Sequence, residues 1–487
     1  MRAEGSDLTS RPASDVVAVV LAAGLGKRMR SRLPKVLHAV GGVPMVLRVL
    51  RAVAAAGIGR AVVVVGNGAH SVQNTIQAAS EELGALRVEF AIQAEQRGTG
   101  HATMAGLAVL RGQAEPGTVL VLPGDTPLLQ AEQLGELLEM HRSASAAATL
   151  LTALVQDPGG YGRIVRDGDG RPLAIVEERD ATAEQRRIQE VNAGVGCFER
   201  TLLERLLDCC TPANAQGEIY LTDVLGSLVA EGRPVQALPA RDAESVLGVN
   251  DRLSLASAEA AVRRRVLARL MLAGVTVVDP ATTWVDERAQ IEPDTVLWPE
   301  TLIEGPCRIG SGCVLGPGTH IRSSRLGPNC EVRHSVVEDS DLDAGCRVGP
   351  FSHIRPGCRL GEGVEVGNFA EVKNATVGAG TKQMHHSYIG DADVGSRVNI
   401  GAGVITVNFD GRHKHRTVID DGAFVGCNAN LVAPVRVGAG GFVAAGTTVT
   451  RPVDPDALVI GRVPQVQKTG WARRRLGREA ESPVERP

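Results

Sequence analysis

The stretch IGSGCVLGPGTHI, Ile309 to Ile321, places an aliphatic residue at every sixth position: Ile309, Leu315 and Ile321. Neither an α-helix nor a simple strand has a period of six. Working outward, the same spacing runs back through Ile303, Leu297 and Ile291. It resumes at Leu342, Val348, Ile354, Leu360, Val366 and Val372, and again at Ile419, Val425, Leu431, Val437, Val443 and Val449. Glycine often follows directly. A hexapeptide β-helix satisfies this period: six residues make one side of a triangular coil, and three sides close it. Each aliphatic residue then points inward and stacks on its counterpart one coil later, so neighbouring coils share a continuous core. The segment TVNFDGRHKHR, Thr406 to Arg416, fits no hexapeptide and is expected to loop out. Insertions on a solenoid tend to carry binding function.

Before Ile291 the texture differs. Apolar runs such as VVAVVLAA, AVVVVG and TVLVLPGD read as buried strands, with amphipathic stretches such as PMVLRVLRAVAAAG between them. That alternation predicts an α/β layer with a mainly parallel, Rossmann-like sheet, whose ligands bind at the carboxyl ends of strands. The expected division is a disordered 1–15, an α/β domain at 16–250, a linker helix at 251–273, a β-helix at 274–465 and a tail at 466–487. In the linker, Leu255, Glu259, Val262, Val266 and Leu270 share one face, and the three arginines at 263–265 are expected mostly to face water.

Composition narrows the function. Of 487 residues, 52 are Lys or Arg and 55 Asp or Glu, a formal charge of −3 that offers no general attraction for nucleic acid or anionic membrane. No apolar run approaches the ~20 residues that span a bilayer, so no membrane insertion is expected. The nine cysteines form no CxxC pair and their number is odd, which favours a reducing cytoplasm. Cys313, Cys330 and Cys346 hold the same place in their hexapeptides. They should stack about 4.8 Å apart on successive coils, as a reduced ladder rather than a disulfide or metal site.

LAAGLGKRMRSRLPK, Leu21 to Lys35, looks like a phosphate loop after a strand. It has neither the third glycine of a dinucleotide fingerprint nor the Lys-Ser/Thr ending of a P-loop. With LPKVL, QAEQRGTGHA, GDTPLL, GYGRIV, EERDA, VNAGV and GVNDRL, it resembles the sugar nucleotidyltransferases. The hexapeptide half, with GNFAEVK, HHSYIGDADVG, NIGAGVITVNFDG and RVPQ, resembles a sugar-amine acetyltransferase. The fused order is similar to the bifunctional enzymes that make UDP-N-acetylglucosamine, roughly from Val16 to Trp471.

That resemblance implies a left-handed coil and two reactions feeding cell-wall polysaccharide synthesis. In one, UTP gives its uridylyl group to N-acetylglucosamine 1-phosphate, a chemistry of positioning and charge neutralisation. It implies that Leu21, Ala22, Ala23 and Gly24 line the triphosphate and that Arg28 and Lys35 supply charge. Gln93, Gly98 and Thr99 would read uracil, and Gly162, Glu177 and Asn192 would meet the sugar. Asp125 and Asn250 would hold Mg²⁺, a hard ion that prefers oxygen. In the other reaction acetyl-CoA acetylates glucosamine 1-phosphate. His385 would take the amine proton, oriented by Glu371, with its neighbour His386 facing the other way along the strand. Arg355, Lys373, Tyr388 and Asn399 would bind the sugar phosphate, and Ala402, Asn408, Phe409, Cys427, Ala445, Arg462 and also Trp471 the cofactor. A homotrimer is implied.

Three residues depart from the pattern: Pro123 where an aromatic often precedes Gly-Asp, Phe409 where Tyr is common, and Cys427 where Ser is common. Two other readings stay open at this point. The coil could be only an assembly module on a nucleotidyltransferase, or both halves could be a non-enzymatic scaffold. His385 with Lys373, Tyr388 and Asn399 speaks against the first, and Asp125, Asn250 and the basic loop against the second.

Overall fold

The computed structural model describes residues 15–112, 117–212, 214 and 216–477. The expected disordered start, except Asp15, and the part of the expected tail beyond Gly477 lie outside the described residues. Contacts divide the chain into two compact units between Arg265 and Val266.

The first unit is built on the run Val16–Ala22, whose valines are buried on both faces of a sheet. A strand covered on both sides needs a continuous rather than alternating apolar run. Ala18 and Val20 join one core with Val46, Leu50, Leu134 and Leu137 from the helices Met45–Ala55 and Ala131–Ser143. Val17 and Val19 join the opposite core with Leu107, Leu203 and Val224. The main sheet runs in the order 235–239, 148–154, 190–199, 118–123, 16–22, 60–65, 87–92. All pairings along it are parallel except those of Glu190–Glu199, which is antiparallel to both neighbours. Arg163–Arg166 and Pro172–Val176 form an antiparallel pair beside it.

The helix Arg252–Leu272 begins in this unit. Asp251 caps it, its Oδ1 accepting from the Ser254 amide at 2.8 Å and the Ser254 hydroxyl at 2.7 Å, and that hydroxyl accepts from the Asn250 amide at 2.9 Å. Of the three arginines expected to face water, Arg264 does and pairs with Glu244 at 2.7 Å. Arg265 instead reaches the Leu128 carbonyl at 3.0 Å and is two-thirds covered, at 33% exposure.

The second unit is the three-sided coil. Each short strand pairs in parallel with the strand one coil later. Val296–Leu297 pairs with Val314–Leu315, then Glu331–Val332, then Arg347–Val348. Every aliphatic residue of the six-residue series is buried, from Ile291 through Val449. The inward column tolerates short slips because register is set coil by coil: Ile309 pairs with Leu326, Leu326 with Leu342 and Leu342 with Leu360. One step is much longer, Val394 to Ile419, and there residues 408–416 leave the wall, closed by an antiparallel bridge between Phe409 and Lys414. Cys313, Cys330 and Cys346 form the expected buried column, each thiol donating to a backbone carbonyl at 3.1 to 3.3 Å. The Cys330 thiol and burial push the Cys313 thiol up, so the reactive thiolate is disfavoured there.

Leu315 is fully buried between Leu297 and Val332. Leu315→Ala is expected to cost about 2–5 kcal/mol, read as a lower midpoint of urea unfolding for the coil.

Candidate active sites

At the carboxyl ends of the parallel strands a cleft of about 720 Å³ opens. The strand Val16–Ala22 delivers Leu21 to Gly24 to it, Thr118–Pro123 delivers Asp125, and Arg87–Ile92 delivers Gln93. Gly26, at φ 59°, turns the basic loop back so closely that a Cβ would lie 2.7 Å from Lys35 Cβ. Gly24 has open space where its Cβ would stand. Arg28, Lys35, Gly98, Thr99, Gly162, Glu177, Asn192 and Asn250 complete the lining, so every residue expected for nucleotide, sugar and metal faces one cavity.

At its centre Lys35 Nζ forms an ion pair with Asp125 and donates to Asn250 Oδ1 at 2.7 Å. The two oxygens expected to hold a metal thus converge on a point already suited to a cation. That donor set fits a hard divalent ion. Next to Asp125, the buried Thr126 hydroxyl finds no partner.

At the base end, Gln93 Nε2 contacts both the Gly98 carbonyl at 3.2 Å and His101 Nδ1 at 3.1 Å. A carbonyl only accepts, so this corner of the amide is the nitrogen and His101 Nδ1 is the lone pair. Gln93 then offers its carbonyl oxygen as acceptor, which suits a base bearing an N–H. Asn192 is fixed from both sides: its amide donates to the Gly162 carbonyl at 2.8 Å, and its Oδ1 accepts from Gly194 at 3.0 Å. Gly194, at φ 73°, leaves room for the Pro123 ring, which explains how proline is accommodated. Burial pushes the Glu177 carboxyl up, although the Thr222 hydroxyl donates to it at 3.2 Å.

In the coil, His385, Ala402, Cys427 and Ala445 each stand two residues after a paired inward position: Gln383, Ile400, Val425 and Val443. They therefore form one column on one corner, continued where Arg462 donates to the Ala445 carbonyl at 2.6 Å. Around that corner, on the next face, lie Tyr388, Arg355 and Lys373, with Asn408 3.4 Å from the Tyr388 hydroxyl. Asn399 stands on the preceding face, between Lys382 and Phe424. Phe409 and Trp471 are exposed.

One expectation fails here. Glu371 does not orient His385: it is in register with Tyr388, and its carboxylate accepts from Arg355 Nη1 at 2.7 Å. His385 and His386 are both exposed, where the strand Lys382–Gly390 passes from one face of the coil to the next. The residue reading also missed His101, Lys414 and Asp391. His101 lay inside a motif already quoted, and Lys414 inside the insertion loop. Lys414 faces Lys373, whose charge holds its ammonium below the usual lysine range.

Known proteins match along the whole arrangement. The nucleotidyl transferase family matches residues 17–286, and the bacterial transferase hexapeptide family, of six repeats, matches 288–323 and 342–374. The bifunctional protein GlmU of Heliobacterium modesticaldum is 49% identical over 445 residues, 91% of this chain and 95% of that one. Its counterpart from Geobacillus thermodenitrificans is 48% identical over 462 residues, 95% and 98% of the two chains. That of Pelobacter propionicus is 46% identical over 458 residues, 94% and 98%. The chain belongs to the bifunctional GlmU family.

It is accordingly a bifunctional transferase. It acetylates glucosamine 1-phosphate from acetyl-CoA and then uridylylates the product from UTP, with release of pyrophosphate. UDP-N-acetylglucosamine for cell-wall polysaccharide is the result. The assembly-module and scaffold readings fall away.

Gly24→Val should fold normally, since its side chain meets open space, yet fill the cleft of this GlmU-family chain. Uridylyl kcat/KM is expected to fall about a hundredfold with acetyl transfer and the thermal midpoint unchanged. Glu177 titrates higher folded than unfolded, so its charge opposes folding once the pH rises above its unfolded value. Glu177→Gln should therefore raise the thermal midpoint at neutral pH and abolish its fall between acid and neutral pH attributable to this group. Uridylyl turnover should drop about tenfold.

Proposed function

We propose that uridylyl transfer occurs in the cleft of residues 16–250 and acetyl transfer on the corner column of residues 274–465, the helix at 251–273 joining them. For the first reaction the carrying observation is the meeting of Lys35, Asp125 and Asn250 at one point. Asp125 and Asn250 would hold Mg²⁺, which supplies charge neutralisation to the triphosphate when bound. Lys35 then turns to the phosphates, and Arg28, exposed at the cleft mouth, meets the outer ones. The sugar phosphate oxygen forms a bond to the α-phosphorus as the α–β bridge breaks and pyrophosphate leaves. Gln93 accepts from the uracil N–H, with Gly98 and Thr99 beside it. Gly162, Glu177 and Asn192 fix the sugar on the far side.

For acetyl transfer the carrying observation is the column His385, Ala402, Cys427, Ala445. An extended thioester arm laid along it spans three coil steps, about 14 Å, and ends at the His385 ring. His385 takes a proton from the amine as nitrogen bonds the acetyl carbon. The C–S bond breaks, and the CoA thiolate takes up a proton. Arg355, Lys373 and Lys414 meet the phosphate, with Tyr388 and Asn399 at the sugar. Phe409 gives up a hydroxyl at its position, and Cys427 places a weaker donor than serine beside the cofactor.

The apolar surface left open is large: Phe351, Phe369, Leu458, Val463, Val466 and Trp471 are each more than half exposed. Such apolar area on a three-sided coil suits packing against further copies of the same chain, as a cyclic trimer. No described helix is long and apolar enough to cross a membrane, and a cytoplasmic enzyme fits the substrates.

The two centres act independently. Asp125→Ala is expected to abolish pyrophosphate release from UTP plus N-acetylglucosamine 1-phosphate, while free-thiol release from acetyl-CoA continues. His385→Ala should do the reverse. Loss of both activities in either folded variant sinks the assignment.

A further inference from the structure

Asp391 is buried, at 5% exposure, in a left-handed conformation at φ 48°. A carboxylate there costs free energy unless it is well partnered. Burial opposes its ionisation, but hydrogen bonds from Asn374 and Asn408 and the charges of Lys414 and Lys373 more than offset this and hold the carboxyl below its usual range. Asn374 Nδ2 donates to Oδ1 at 2.6 Å, and Asn408 Nδ2 donates to Oδ2 at 2.5 Å. The Asp391 amide donates to the Lys373 carbonyl at 3.0 Å, and its own carbonyl accepts from Thr417 at 3.1 Å.

These contacts grip one object from several sides. Asn408 opens the loop that leaves the coil, and Thr417 is where the wall resumes. Lys373, in the coil below, faces Lys414 at the far side of that loop. Two ammonium groups side by side repel, and the geometry persists only with negative charge close by. An ionised carboxylate only accepts, so each carboxamide must turn its nitrogen inward. Asn408 consequently keeps its carbonyl oxygen for an N–H of a bound molecule.

We infer that Asp391 is a positioning residue for acetyl transfer, clasping the 408–416 loop so that Lys373 and Lys414 together receive the sugar phosphate. This rests on the assignment of Lys373 to that phosphate. Asp391 touches no reacting atom. Its effect reaches the reaction through the lysine pair and Asn408.

The test uses the full-length protein and two amines, glucosamine 1-phosphate and glucosamine, at saturating acetyl-CoA. Asp391→Asn keeps the size but cannot accept from both carboxamides with both oxygens. Its kcat/KM for glucosamine 1-phosphate is expected to fall about thirtyfold, mostly in KM, with glucosamine turnover and uridylyl transfer unchanged. Equal losses for both amines, loss of uridylyl transfer as well, or no loss at all overturn the inference. Lys373→Ala is run in parallel. If it leaves the preference for the phosphorylated amine intact, the site assignment itself is wrong and the inference falls with it. If Lys373→Ala removes the preference and Asp391→Asn does not, only the inference falls.

Discussion

The structure depends on one constraint: an aliphatic side chain at each sixth position must land on the one a coil below. Ile291 on Ile309, Leu297 on Leu315 and Ile303 on Ile321 are three of these landings. Because the core is a set of stacked contacts, register is locked between neighbours and nowhere else. Positions a fixed number of residues from an inward side chain then fall into vertical rows. The row containing His385, Ala402, Cys427 and Ala445 is a by-product of that locking, and the proposed path of the cofactor rests on it.

The α/β unit reaches the same end by other means. Its strands are parallel and covered on both faces, so their carboxyl ends gather on one edge with no sheet partners left. Segments far apart in the chain arrive there together, as Lys35 and Asn250 do across 215 residues. The first turn of the long helix contributes too, since Ser254 fixes the Asn250 backbone while its amide oxygen stays turned to Lys35. Precision in both halves comes from rigid regular elements, and the loops are tied to them.

Much of this was legible in the residues. The period of six gave the buried column, and Leu21 to Gly24, Gln93, Asp125 and Asn250 carried enough motif to fall into one cleft. What escaped depended on contacts between coils. Glu371 and His385 look well placed for each other along the chain, but the register sets Glu371 against Tyr388 and leaves it to Arg355. Asp391 lies inside the quoted HHSYIGDADVG, but nothing along the chain marks what it holds. Its partners Asn374 and Asn408 lie in the coils before and after it, and only stacking unites them.

The excursion at residues 408–416 has a wider consequence. The wall resumes at Thr417 in register with Ala392, as though nothing had intervened. A coil whose rungs bind only to adjacent rungs can host extra chain at a corner without disturbing distant ones. New substrate preferences can therefore arise by lengthening or trading such a bulge, while the prism beneath keeps its pitch. Tinkering of that kind is far harder in the cleft of the other half, where one shared core answers for every strand.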